Sequence, residues 1–137
     1  MKQKVSDYIA EYIAQWGIRD VFTVTGGGAM HMNDAFGHHP KLHCIYQHHE
    51  QACAMAAEAY ARMDNHMAAV CVTTGPGATN AITGVLGGWM DSIPMLVFSG
   101  QARYATTVPA SGLPLRSMGV QAVSYTHLRA HETSAHL

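Results

Sequence analysis

The sequence predicts an α/β fold, a three-layer αβα arrangement around a mostly parallel sheet. Two observations carry this. Short β-branched or aromatic runs begin at about residues 21, 42, 67 and 95, and every gap between them is long enough for a helix, which is the layout of βαβ crossovers. The run from Met67 to Thr73 is apolar almost without interruption, as in a parallel strand covered on both faces. At 137 residues the chain is long enough for one domain and no more.

The first element follows from Val5, Tyr8, Ile9, Tyr12, Ile13 and Trp16, which recur at helical spacing with Asp7, Glu11 and Gln15 between them. Gly17 is its stop signal, so a helix with one buried face is expected. Val21 to Val24 reads as a strand running into a tight turn at Gly26-Gly27-Gly28, and a short helix over Ala29 to Phe36 closes near Gly37 and Pro40. Leu42 to Tyr46 is the second strand. His49 to Met63 is an alanine-rich helix whose small side chains let its backbone approach a sheet closely. After the Met67 to Thr73 strand, Gly75-Pro76-Gly77 turns the chain into a helix from Ala78 to about Met90, and Pro94 to Ser99 supplies the fourth strand. From Gly100 the texture becomes polar loop, with Leu113 to Val120 as the last candidate helix.

Composition excludes several roles. Charged residues are 12% of the chain against 48% apolar, so part of the surface is expected to be covered by another domain or subunit. The formal charge is −1 and no basic stripe exists, which argues against nucleic acid as a partner. Neither a secretory signal nor a membrane span is visible. Cys44, Cys53 and Cys71 show no Cys-x-x-Cys spacing and sit in apolar contexts, which reads as buried, reduced thiols in a cytoplasmic protein. His43, Cys44, His48 and His49 lie close together, yet zinc sites show paired spacing in two separated halves, and no metal site is expected.

In an open parallel sheet, ligands bind beyond the carboxyl ends of the strands. That rule selects four loops: Gly26-Gly27-Gly28, Gln47-His48-His49-Glu50, Thr73 to Asn80, and Ser99-Gly100-Gln101. On the residues alone, Glu50 is either a carboxylate at a helix start, gaining ~0.3–1 kcal/mol from the dipole, or a catalytic acid in a strand-end loop. The Gly75-Pro76-Gly77 loop is either a structural turn or a glycine-rich cradle whose amides approach a ligand, with Thr73, Thr74, Thr79 and Asn80 to satisfy nearby polar groups. The Gly26 to Gly28 loop has the same two readings. Trp89 and Met90 are core or subunit contact.

In order, Gly26-Gly27-Gly28-Ala29, His49-Glu50-Gln51-Ala52, Ala57-Glu58-Ala59-Tyr60-Ala61-Arg62, Gly75-Pro76-Gly77-Ala78-Thr79-Asn80, Asp91-Ser92-Ile93-Pro94 and Gly100-Gln101 resemble the pyrimidine-binding domain of thiamine-diphosphate enzymes of the acetolactate synthase and pyruvate oxidase family. The likeness runs from about Val5 to Gln121 and rests on the order and spacing of the motifs together. It implies that Glu50 is the catalytic group of the domain. There it would hydrogen-bond to the aminopyrimidine ring nitrogen and favour the imino tautomer, whose exocyclic nitrogen deprotonates the thiazolium carbon; the cofactor carries the hard chemistry. It further implies that Gly26, Gly27, Thr74, Gly75, Pro76, Gly77 and Asn80 line the cofactor. Gln121, in Val120-Gln121-Ala122, falls where acetolactate synthases have a phenylalanine-glutamine-glutamate segment near the substrate, and both of its neighbours depart from that pattern.

The same resemblance implies thiamine diphosphate as cofactor, Mg2+ held by a domain absent from this chain, and room for FAD in the full-length enzyme. It implies a 2-oxo acid substrate such as pyruvate and a second subunit in a homodimer or homotetramer. No Gly-Asp-Gly motif for diphosphate and metal occurs in the sequence. The domain is therefore expected to occupy residues 1–123, incomplete at its C-terminus and inactive alone, with 124–137 a non-native or disordered tail. Two other readings stay open: the pyrimidine-binding domain or subunit of another thiamine-diphosphate-dependent 2-oxo acid decarboxylase or oxidase, and a non-catalytic nucleotide-binding α/β module.

Overall fold

The computed structural model describes residues 2–106 together with 110 and 112. The helix expected over 113–120, Gln121 and the segment 124–137 lie outside the described residues. In chain order the elements are α1 (Val5–Gln15), β1 (Asp20–Thr23), a 3-10 turn (Gly27–Ala29), α2 (Met30–His38), β2 (His43–Tyr46), α3 (Glu50–Asp64), β3 (Ala68–Val72), α4 (Pro76–Met90), β4 (Met95–Ser99) and a second 3-10 turn (Tyr104–Thr106).

The four strands form one parallel sheet in the order β2-β1-β3-β4. Its pleat sorts side chains to two faces with period two. Val21, Ala69 and Cys71 point to one face and pack with Ala10 and Ile13 of α1 and Ala35 and Phe36 of α2. Phe22, Ala68, Val70 and Val72 point to the other and pack with Cys53, Ala54 and Ala57 of α3 and Ala78 and Ala81 of α4. All five β3 residues are buried, which is why that strand reads as a continuous apolar run. The expected αβα layering is thus present, and every strand pair is parallel.

The connections leave β1 and β3 in opposite directions. β1 leads through α2 to the edge strand β2, whereas β3 leads through α4 to the opposite edge, β4. The carboxyl ends of the neighbouring strands β1 and β3 are therefore a topological switch point, where diverging loops open a crevice.

Two local readings of the sequence are corrected by the structure. α4 begins at Pro76 and not at Ala78, so Pro76 and Gly77 belong to its first turn. Proline suits the first helical position because its fixed φ matches the helix and its missing N–H is not needed there. The turn is made by Gly75 alone, at φ 64°, a conformation that strongly favours glycine. α1, in turn, does not bury all its apolar residues on one face. Ser6, Ala10 and Ile13 are buried, while Val5, Tyr8, Tyr12 and Trp16 form an exposed stripe whose rings stack at 5.8 Å (Tyr8 to Tyr12) and 5.0 Å (Tyr12 to Trp16). Six apolar positions in twelve residues are more than one stripe facing a sheet can hold.

The two helices on the α3/α4 face lie unusually close. A Cβ on Gly84 would sit 2.6 Å from Ala54 Cβ and 3.0 Å from the Met55 backbone nitrogen, so glycine is what allows the approach. At their far ends, Arg62 of α3 bridges Glu58, with Nε at 3.0 Å and Nη2 at 2.6 Å from Glu58 Oε1, to Asp91 just after α4.

Candidate active site

The crevice at the switch point gathers residues from four loops. Glu50 is the first residue of α3, and the preceding His49 caps that helix, its Nδ1 accepting from the Gln51 N–H at 3.1 Å. The cap ties the β2–α3 loop down and fixes where the Glu50 side chain starts. Across the crevice, Asn80 on α4 donates from Nδ2 to Glu50 Oε2 at 3.0 Å. The other carboxylate oxygen lies beside Gly77: a Cβ on that residue would come to 3.2 Å from Glu50 Oε1 and 2.6 Å from Thr73 Cγ2, so glycine is what lets Thr73 and Glu50 pack against the start of α4.

The first turn of α4 holds its own shape. Thr79 donates its backbone N–H to Gly75 O at 3.0 Å and its hydroxyl to Pro76 O at 3.0 Å. Thr74 donates its hydroxyl to Gln101 Oε1 at 3.2 Å, and the Gln101 N–H donates to Gly28 O at 3.2 Å. A chain of polar contacts thus runs from the β3–α4 loop through the segment after β4 to the glycine loop after β1. Beneath it, Thr23 at the end of β1 donates its hydroxyl to Cys71 O at 2.7 Å and accepts from Asn33 Nδ2 at 2.9 Å, which fixes α2 to the strand ends.

Of the residues singled out in the sequence, Glu50, Gly77 and Asn80 meet directly, and Gly75 and Pro76 form the turn that brings Gly77 and Asn80 there. Gly26 belongs to the same cluster through Thr73, whose Oγ1 and Cγ2 would both lie 2.7 Å from a Cβ on Gly26. Thr74 is engaged one step away with Gln101. At Gly27 a Cβ would meet nothing within 4 Å, so this residue faces open space at the mouth of the crevice. Gln121 lies outside the described residues. The sequence alone gives no individual role to Thr73, Asn33 or Gln101; for Thr73 and Gln101 the available signal is their placement just beyond the ends of β3 and β4, whereas Asn33 lies within α2 and carries no such signal.

Cys53 lies one turn behind Glu50. Burial, and then the neighbouring Glu50 charge, push its thiol up to about 11, so it stays a protonated, apolar packing group. Among the described residues no three His, Cys, Asp or Glu side chains gather in a metal-binding arrangement. His43 instead pairs with Asp20 at 3.0 Å. No helix among them is long and apolar enough to cross a membrane. Trp89 and Met90, offered as core or contact residues, are 69% and 74% exposed, which removes the core reading.

A family model described as "Thiamine pyrophosphate enzyme, N-terminal TPP binding domain" matches residues 3–126. The chain belongs to this family. Among curated relatives of this TPP-binding domain, the acetolactate synthase large subunit of Lactococcus lactis subsp. lactis (strain IL1403) is 36% identical over 96 residues, covering 70% of this chain and 17% of that protein. Acetolactate synthase 2, chloroplastic, of Zea mays is 37% identical over 99 residues, covering 72% and 16%. The acetolactate synthase isozyme 3 large subunit of Escherichia coli (strain K12) is 38% identical over 96 residues, covering 70% and 17%. The chain thus spans about one sixth of the length of these relatives, and is an acetolactate synthase-type N-terminal TPP-binding domain.

The crevice fits such a cofactor on its own chemistry. A flat heteroaromatic ring needs close backbone approach on its faces and a hydrogen-bonding group at its edge. Gly27, where a Cβ would meet nothing within 4 Å, leaves backbone open for the first, and the Glu50 carboxylate, oriented by Asn80, supplies the second.

Proposed function

We propose that this domain forms the pyrimidine-facing wall of the cofactor site in an acetolactate synthase-like enzyme that decarboxylates a 2-oxo acid such as pyruvate and joins the resulting two-carbon unit to a second 2-oxo acid. The observation that carries the reading is the Glu50 carboxylate at the switch point, with Oε2 held by Asn80 and Oε1 beside Gly77. Bound thiamine diphosphate would supply the carbon nucleophile and the electron sink for decarboxylation.

Glu50 would hold or move a proton at the ring nitrogen of the aminopyrimidine through Oε1. Asn80 orients the carboxylate for that contact, so the side chain loses little freedom when a ring arrives. The glycine loop after β1 and the first turn of α4 let backbone approach the ring and exclude water from it. The diphosphate and Mg2+ would be held elsewhere, in a domain outside this chain, and FAD, where the full-length enzyme uses it, likewise.

The exposed apolar residues of α3 and α4, Met55, Leu86, Trp89 and Met90, support a partner subunit, with a homodimer or homotetramer as the assembly. The free Cys44, Cys53 and Cys71 support a reducing compartment such as the cytoplasm. Neither nucleic acid nor membrane enters as a partner.

The reading is tested on the full-length protein that contains this domain. Carbon dioxide release from pyruvate should require both thiamine diphosphate and Mg2+. Activity that survives removal of thiamine diphosphate would refute the reading, as would its absence with every 2-oxo acid tried.

A further inference from the structure

We infer that Thr73 is a positioning residue for the cofactor wall, a side chain that locks the glycine loop after β1 to the first turn of α4. The inference rests on the cofactor reading given above. Thr73 directly follows β3, between the two loops that diverge at the switch point. Its Oγ1 accepts from the Gly28 N–H at 3.0 Å, so the loop from β1 is bonded to it. Its Cγ2 would lie 2.6 Å from a Cβ on Gly77, so its methyl occupies the side-chain space of the residue that also borders Glu50 Oε1. Oγ1 and the same Cγ2 also fill the side-chain space of Gly26.

The threonine therefore carries two groups, one bonded to the glycine loop and one packed between that loop and α4. The hydroxyl fixes the height of the Gly26 to Gly28 loop, and the methyl, against both Gly26 and Gly77, fixes how far the start of α4 stands from that loop. Both distances set the width of the crevice in which Glu50 lies. A loop not bonded to Thr73 must be ordered when the ring binds, and that cost appears as weaker cofactor binding more than as slower chemistry.

Thr73→Val keeps the shape and removes the acceptor, whereas Thr73→Ser keeps the acceptor and removes the methyl. In the full-length enzyme, Thr73→Val should raise the KM for thiamine diphosphate about tenfold, the loss of roughly one hydrogen bond. At saturating cofactor, kcat should fall by less than about threefold, since the groups that touch the ring remain. Thr73→Ser should restore most of the cofactor KM. In the cofactor-free protein, amide exchange at Gly28 should speed up in Thr73→Val and not in Thr73→Ser, a readout independent of turnover.

A cofactor KM for Thr73→Val equal to the wild type would overturn the inference. Equal losses in the valine and serine variants would too, because they would show packing alone. If Thr73→Val does not fold, Thr73→Ala against Thr73→Ser gives the same contrast, with the serine again expected to retain the lower KM. Failure of the cofactor reading itself would show in the wild-type enzyme as turnover independent of thiamine diphosphate, and so is separable from failure of the role given to Thr73.

Discussion

Replacing Gly84 by valine should loosen the domain and the site together. Gly84 on α4 packs against Ala54 on α3, and each lies one turn beyond a site residue, Asn80 and Glu50. A Cβ on Gly84 would come to 2.6 Å from Ala54 Cβ and 3.2 Å from the Ala54 carbonyl carbon. Carbon atoms pack best at about 3.5–4.0 Å, so the helices must part by about 1 Å, and the backbone atoms in the contact cannot rotate aside. Overpacking of this kind costs about 1–3 kcal/mol, and the two γ-methyls of valine place the cost at the upper end. Leaving glycine returns only about 0.5 kcal/mol of helix propensity. The net loss is about 2 kcal/mol, equivalent to a drop of about 8 °C in Tm for a domain of this size.

The same separation would stretch the Asn80 to Glu50 hydrogen bond from 3.0 Å to beyond useful range. Urea unfolding of the chain at low concentration, followed by circular dichroism, measures the first effect. Gly37→Ala in α2 is the counterpart, because its Cβ would meet only Tyr46 Oη at an ordinary 3.6 Å. That variant should be stabilised by a few tenths to about 1 kcal/mol. A Gly84→Val chain within about 0.5 kcal/mol of the wild type would refute the packing argument, since that is the range of inconsequential surface changes.

Other expectations concern the thiols and the surface charges. Burial pushes the Cys71 thiol from 9.0 to about 12 and the Cys53 thiol up to about 11, so neither should react with iodoacetamide in the folded chain near pH 8, and both should react in urea. A raised thiol pKa means that the unfolded chain releases its proton first. The stability this contributes is complete below about pH 9 and is lost as pH rises toward 12, so Cys71→Ala should make the alkaline fall in stability shallower. Arg62→Met removes the bridge from Glu58 to Asp91; the loss in Tm should be small at low salt and disappear near 1 M salt, because these groups are solvent-screened.

Much of the fold is legible in the sequence because the strongest signals are periodic. Every strand and helix expected from α1 to β4 is present, with ends shifted by a few residues at most. The errors have physical causes. Pro76-Gly77 looks like a turn, yet proline opens a helix as readily as it breaks one, and only the Gly75 backbone angle separates the two cases. The α1 stripe of Tyr8, Tyr12 and Trp16 reads as buried because periodicity reports an apolar face without saying what covers it. The switch-point rule locates the crevice and Glu50. It does not reveal that Asn80 holds Glu50, or that Thr73 fills the space left by Gly26, since those contacts join positions 30 and more residues apart. Thr74 and Gln101 meet for the same reason, through strand order.

Glu50→Gln in the full-length enzyme tests the central claim most directly. Glutamine keeps the size of the side chain and an acceptor oxygen for Asn80, but it can neither carry nor give up a proton. Thiamine diphosphate should still bind, by titration calorimetry, while turnover of pyruvate falls by at least about a hundredfold, the ordinary contribution of a positioned proton-transfer group. A variant that binds the cofactor and turns over at the wild-type rate would contradict the account.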